Sequence, residues 1–172
     1  LALGYYKPRK DKVKDRGLAP VAQAMYLDLE PAFAEYDRIN FVVAPKLLKR
    51  QLEIKGQKLQ KLQEAYTAVV NLKAAEPAVC ALYRIGFAYR RFSETLMATP
   101  IPKEIRGNSE FVEEYKSQLG QVAEPLEQKA VEGLELAMNK SRELGVRNDC
   151  ARAATELLFK VKPEKYGPTL ES

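Results

Sequence analysis

Histidine is absent from the 172 residues, and that absence removes most of the side-chain chemistry open to a small protein. Ser–His–Asp triads, Cys–His nucleophile pairs and the usual zinc sets are excluded, as are the Glu-x-x-His pairs of di-iron bundles. Two cysteines, a few carboxylate pairs and a run of arginines and tyrosines remain. Cys80 and Cys150 have no CxxC partner, and each falls at an apolar helical position, so each reads as a small buried side chain. A disulfide between them would require their helices to be neighbours. Glu113 and Glu114 are adjacent, which on a helix turns them about 100° apart and away from a shared site. Glu124 and Glu127 flank Pro125 and read as favourable charges beside the positive end of a helix dipole. No catalytic residue, cofactor or metal set is assigned, and the chain reads as a non-enzyme.

The alternative to chemistry is binding. Tyr83, Arg84, Tyr89, Arg90 and Arg91 are of the types that concentrate energy at interfaces and form the candidate partner-binding set. The same residues also suit packing, with the tyrosines half-buried and Arg84 paired to a carboxylate of a neighbouring helix. A second candidate is the basic run Lys7, Arg9, Lys10, Lys12, Lys14 and Arg16, opposed only by Asp11 and Asp15, which holds most of the net charge of +5. It suits nucleic acid or an anionic surface, with steep salt dependence, or else a solvated linker.

The elements that must position these residues are helices. From Pro77 to Leu96, apolar residues recur at Ala81/Leu82, Ile85, Tyr89, Phe92 and Leu96, while Ala81, Gly86 and Ala88 allow close backbone approach. This reads as a central, sandwiched helix, with Pro77 in its first turn and Pro100-Ile101-Pro102 at its exit. Upstream, Ala22, Met25/Tyr26, Leu29, Phe33 and Tyr36 predict a helix from about Leu18 to Arg38, kinked or split at Pro31. Leu48, Leu52, Leu59, Leu62, Tyr66 and Val69 predict a long helix from Pro45 to about Lys73 with one narrow seam, packed within the chain in preference to a coiled-coil dimer.

Downstream, Asn108 or Ser109 caps a helix whose predicted buried face is Phe111, Tyr115, Leu119 and Val122, ending near Gly120. Pro125 is expected to start another helix, striped by Leu126, Ala130, Leu134 and Ala137/Met138 and closed by Gly145. A last helix runs from about Asn148 to Pro163. The expected organisation is a basic lead-in (1–17), a helical domain (18–163) and a loose tail (164–172). The fold class is all-α, antiparallel helical hairpins stacked as a TPR-like α-solenoid. At 46% hydrophobic and 30% charged residues the composition is globular, and no apolar run approaches a membrane span. The absence of an initiator Met and of a signal-peptide pattern reads as an internal or processed start.

The segment Ala123 to Pro163 resembles a degenerate tetratricopeptide unit, with Ala130, Gly133/Leu134, Ala137 and Leu144-Gly145 where such units place small and apolar residues, and Ala154 and Leu157 opening the next. The order ALYRIGFAYRRF, TPIP, EYKSQL, AEPLEQKAVEGLELA, ELGVRND is similar to the C-terminal region of tetratricopeptide envelope proteins of deltaproteobacteria, including those implicated in gliding motility. The resemblance spans roughly Ala19 to Pro168. It implies a scaffold on the periplasmic side of a bacterial envelope whose partners are other envelope proteins. It disfavours nucleic acid and implies membrane association only through a partner or a segment outside this sequence. It supplies no catalytic residue or cofactor.

Overall fold

A computed structural model of the chain describes residues 15–42 and 45–167. Among the described residues there are helices and connections and no strand. In chain order these are α1 (Asp15–Asp28), α2 (Glu30–Asp37), α3 (Pro45–Val70), α4 (Ala75–Met97), a 3-10 turn (Lys103–Ile105), α5 (Ser109–Leu144), α6 (Asp149–Val161) and α7 (Pro163–Tyr166).

Helix α4 is the hub, because it carries apolar or small residues around most of its circumference. It touches α1, α2, α3, α5 and α6. Ala81, Ala88, Tyr89, Phe92 and Leu96 enter the main core with Tyr26, Phe33, Tyr36, Leu59, Leu62 and Tyr66. On another side the backbone itself is the contact surface: a methyl placed on Gly86 would sit 2.8 Å from the Leu134 nitrogen, and one on Gly133 would sit 2.9 Å from the Gly86 Cα. The small residues predicted to admit a neighbour admit α5. Val79 forms a third contact with Val146 and Ala151 beside α6.

Local rules set most helix ends. Asn108 Oδ1 accepts from the Glu110 and Phe111 nitrogens at 3.0 and 3.2 Å, Gly145 takes φ 66° after α5, and Asn148 Oδ1 accepts from the Ala151 nitrogen at 2.9 Å to open α6. Between Leu18 and Arg38 the chain splits instead of kinking. Pro31 sits in the first turn of α2, where its missing N–H is not needed, and the Leu29 nitrogen makes a tighter bond to the Tyr26 carbonyl at 3.2 Å.

The helix break between Gly120 and Pro125 does not occur: α5 is one helix of 36 residues with Pro125 inside it. Proline removes one hydrogen bond, but Leu119, Ala123, Ala130, Leu134 and Ala137 stay in phase across it and are all buried, so burial outweighs the loss. Among the described residues α1 extends from Asp15 through Gly17 and Pro20. Cys80 and Cys150, whose pairing the sequence leaves open, form a disulfide between α4 and α6, with Cα atoms 5.0 Å apart. Their helices are neighbours because α6 docks on the first turns of α4 around Val79. Finally, the tail expected to be loose begins with α7, held by Lys165 Nζ on Glu135 at 2.9 Å and by the Tyr166 hydroxyl on the same carboxylate.

Candidate interaction surface

The partner-binding candidates lie on α4 and are turned toward the rest of the chain. Arg84 Nη2 donates to both Glu30 carboxylate oxygens at 2.8 and 2.9 Å, and its Nε donates to the Tyr26 hydroxyl at 3.2 Å. Its guanidinium lies 4.5 Å from the Phe33 ring centre. Burial works against the charge, yet the Tyr26 hydrogen bond and the Glu30 carboxylate outweigh it and the pKa is raised. Arg91 Nε donates to Asp37 at 2.7 Å and its Nη1 to Glu94 at 3.1 Å. Arg90 pairs with Glu94 at 2.9 Å and lies 3.6 Å from Glu127 of α5. The Tyr89 hydroxyl donates to Gln63 of α3 at 2.6 Å. Tyr83 stacks on Phe87, ring centres 5.6 Å apart, and packs against the α5–α6 core. Four of the five thus bond carboxylates or amides of this chain, tying α1, α2, α3 and α5 to α4.

Sequence reasoning missed the most buried charge. The α3 seam has a seven-residue gap between Leu52 and Leu59, and Lys55 fills it with 0% exposure. Its Nζ donates to the Ile39 and Tyr36 carbonyls at 2.8 and 3.3 Å, capping the end of α2. It also faces the Tyr36 ring at 4.7 Å and the Phe41 and Phe92 rings at 5.9 Å. Burial is the main cause that pulls its pKa down to about 8. An amine so tuned is a nucleophile when a substrate can reach it; sealed under three aromatic rings, this one holds the α2–α3 corner. The gap in the leucine ladder was the available signal.

Among the described residues no group of Asp, Glu and Cys is placed to hold a metal. Glu127 accepts from Ser93 Oγ at 3.0 Å. Because α5 does not begin at Pro125, Glu124 and Glu127 lie mid-helix, and the helix-dipole reading does not hold.

What the fold leaves uncovered is the first half of α5. Of the face expected to be buried, Leu119 is buried and Tyr115 is half-buried with its hydroxyl donating to the Pro100 carbonyl at 3.4 Å, while Phe111 and Val122 are 56% and 53% exposed. For Phe111 the cause is a mismatch of lengths, whereas Val122 is level with the end of α4 and turned to solvent. From the Gly86/Gly133 crossing α4 continues to Met97, whereas α5 reaches back to Ser109, so α5 overhangs its support by about 20 Å at 1.5 Å per residue. Glu110, Glu113 and Glu114 surround Phe111, all exposed. The first turns of α3 also present apolar residues, Leu47 and Ile54, among exposed Lys46, Lys49 and Arg50. The basic candidates Lys7, Arg9, Lys10, Lys12 and Lys14 lie outside the described residues, as does the side chain of Arg16. Comparison with known protein families, characterised proteins and solved structures finds no match.

Proposed function

We propose that the protein is a non-catalytic, TPR-like helical scaffold that binds other proteins on the periplasmic side of a bacterial envelope, as part of a motility or envelope assembly. The observation that carries the binding function is the first half of α5, an amphipathic stretch with Phe111 and Val122 uncovered. Large apolar side chains left in water along one face of an amphipathic helix are suited to an interaction surface. The Cys80–Cys150 disulfide supports the compartment, since such bonds persist where the environment is oxidising. The repeat-like reading is supported by the second half of α5 and α6, an antiparallel pair joined through Gly145 with Ala130, Gly133, Leu134, Ala137 and Ala154 buried between elements.

The test is a pull-down from solubilised envelope and from cytosol, comparing the wild type with a Phe111→Glu/Val122→Glu variant. Both substitutions lie on exposed positions and leave the core intact. Envelope proteins recovered by the wild type and lost by the variant support the reading; the same recovery by both overturns it.

A further inference from the structure

Two helices that flank α4 carry opposite charge. Helix α3 holds six basic residues against Glu53 and Glu64, and only Lys55 of the six is buried. From Ser109 to Gln128, α5 holds five glutamates against Lys116 alone. The two helices do not approach each other within the chain, so they do not neutralise one another; Lys58 pairs with Glu35 and Glu127 lies by Arg90, both away from the first turns of α3 and α5. Among the described residues Lys46, Lys49, Arg50, Glu110, Glu113 and Glu114 take part in no ion pair. Each charged stretch also exposes large apolar side chains, Leu47 and Ile54 on α3 and Phe111 and Val122 on α5. An apolar centre with a charged rim is the makeup of a protein interface, and here the two rims complement each other.

We propose that the first half of α5 docks on the first half of α3 of a second copy of this chain, carboxylates Glu110, Glu113 and Glu114 against Lys46, Lys49 and Arg50, with Phe111 and Val122 covering Leu47 and Ile54. The proposal rests on reading the first half of α5 as a binding surface and names its partner. In a closed two-fold dimer the pairing occurs twice, and in an open assembly it repeats from copy to copy. Rim charges accelerate and orient the encounter, so association weakens as salt rises.

The experiment is sedimentation velocity of the purified full chain over a dilution series at low and high salt, with two charge-reversed variants. One is Lys46→Glu/Lys49→Glu/Arg50→Glu and the other Glu110→Lys/Glu113→Lys/Glu114→Lys; circular dichroism checks that both keep their helix content. The wild type is expected to self-associate, more weakly in salt, and each variant alone to associate about tenfold more weakly or worse. An equimolar mixture of the two variants is expected to recover the association, because each reversed face meets its opposite on the other variant. A wild type that stays monomeric, a variant that associates as the wild type does, or a mixture that fails to recover association overturns the proposal. A monomeric wild type that still captures envelope proteins through Phe111 and Val122 overturns the self-docking and leaves the scaffold reading standing.

Discussion

Gly86 and Gly133 meet backbone against backbone where α4 and α5 cross, and neither position has room for a methyl group. Gly in a helix interior is ordinarily destabilising by up to about 1 kcal/mol relative to Ala. At this crossing the sign reverses. Gly86→Ala and Gly133→Ala each force two helix backbones apart and are expected to destabilise by about 1–3 kcal/mol. Gly56, with nothing within 4 Å of its missing methyl, behaves conventionally, and Gly56→Ala is expected to raise stability by up to about 1 kcal/mol. Urea unfolding of the three variants checks both signs.

The Cys80–Cys150 bond closes a loop across 70 positions of sequence. In the chain-entropy account a loop of that size stabilises by about 4 kcal/mol. Thiol titration of the oxidised, denatured protein is expected to find no free cysteine, and Cys80→Ser/Cys150→Ser is expected to unfold at clearly lower urea with α6 released first. Hydrogen exchange of α6 amides in the variant, compared with α4, reads that order.

Lys55 links stability to pH. Its folded pKa, near 8, lies below the unfolded value of 10.5. Below pH 8 both states hold the proton; between the two values the unfolded state holds it and the folded state does not, so stability rises with pH through that window. The difference in unfolding free energy between wild type and Lys55→Met isolates this group from other lysines and tyrosines. It is expected to move in favour of the wild type from pH 8 to 10, by at most roughly 3 kcal/mol. A flat difference would mean that the amine keeps its proton inside the fold.

Arg84 is held by Glu30, Tyr26 and Phe33, so its removal ends a bidentate ion pair, a hydrogen bond and a ring contact at one point, while the Glu30 carboxylate stays in reach of water. Arg84→Met is expected to destabilise by about 2 kcal/mol. Arg90→Met, which loses only single-contact ion pairs to Glu94 and Glu127, is expected to change stability by less than about 1 kcal/mol. Thermal unfolding of both variants beside partner capture separates structural from binding roles.

Two buried tyrosines of α2 and α3 give opposite expectations for the same change. The Tyr36 hydroxyl donates to the Ala88 carbonyl at 2.6 Å, so Tyr36→Phe is expected to destabilise by about 1 kcal/mol. The Tyr66 hydroxyl is buried with no partner among the described residues, and Tyr66→Phe is expected to be neutral or stabilising. Chemical denaturation of the pair checks the contrast.

Much of the architecture is legible in the amino-acid order, for local reasons. Helix periodicity places the α3 and α4 seams, Asn108, Gly145 and Asn148 mark helix ends through their own side chains or backbone freedom, and the small residues of α4 announce a close neighbour. The candidate site is less legible. Arg84 and Arg91 suit binding and packing alike; a carboxylate partner for Arg84 is expected from its type, but nothing within α4 indicates that it is Glu30, or that Asp37 lies opposite Arg91. Phe111 and Val122 carry the same periodic signal as Leu119, although only Leu119 is buried.

The division follows from the range of the forces. By itself the amino-acid order determined the helical class, the capping residues, the apolar stripes and the absence of histidine chemistry, because each depends on composition or on residues within a turn or two of one another. The tertiary structure decided that Gly86 meets Gly133, that Cys80 meets Cys150, that Lys55 is sealed among aromatic rings, and that α5 outruns α4. Those outcomes depend on which distant helix lies alongside and where it stops. That is set by packing among elements far apart in the chain, and a stripe at helical spacing does not record whether its partner is present.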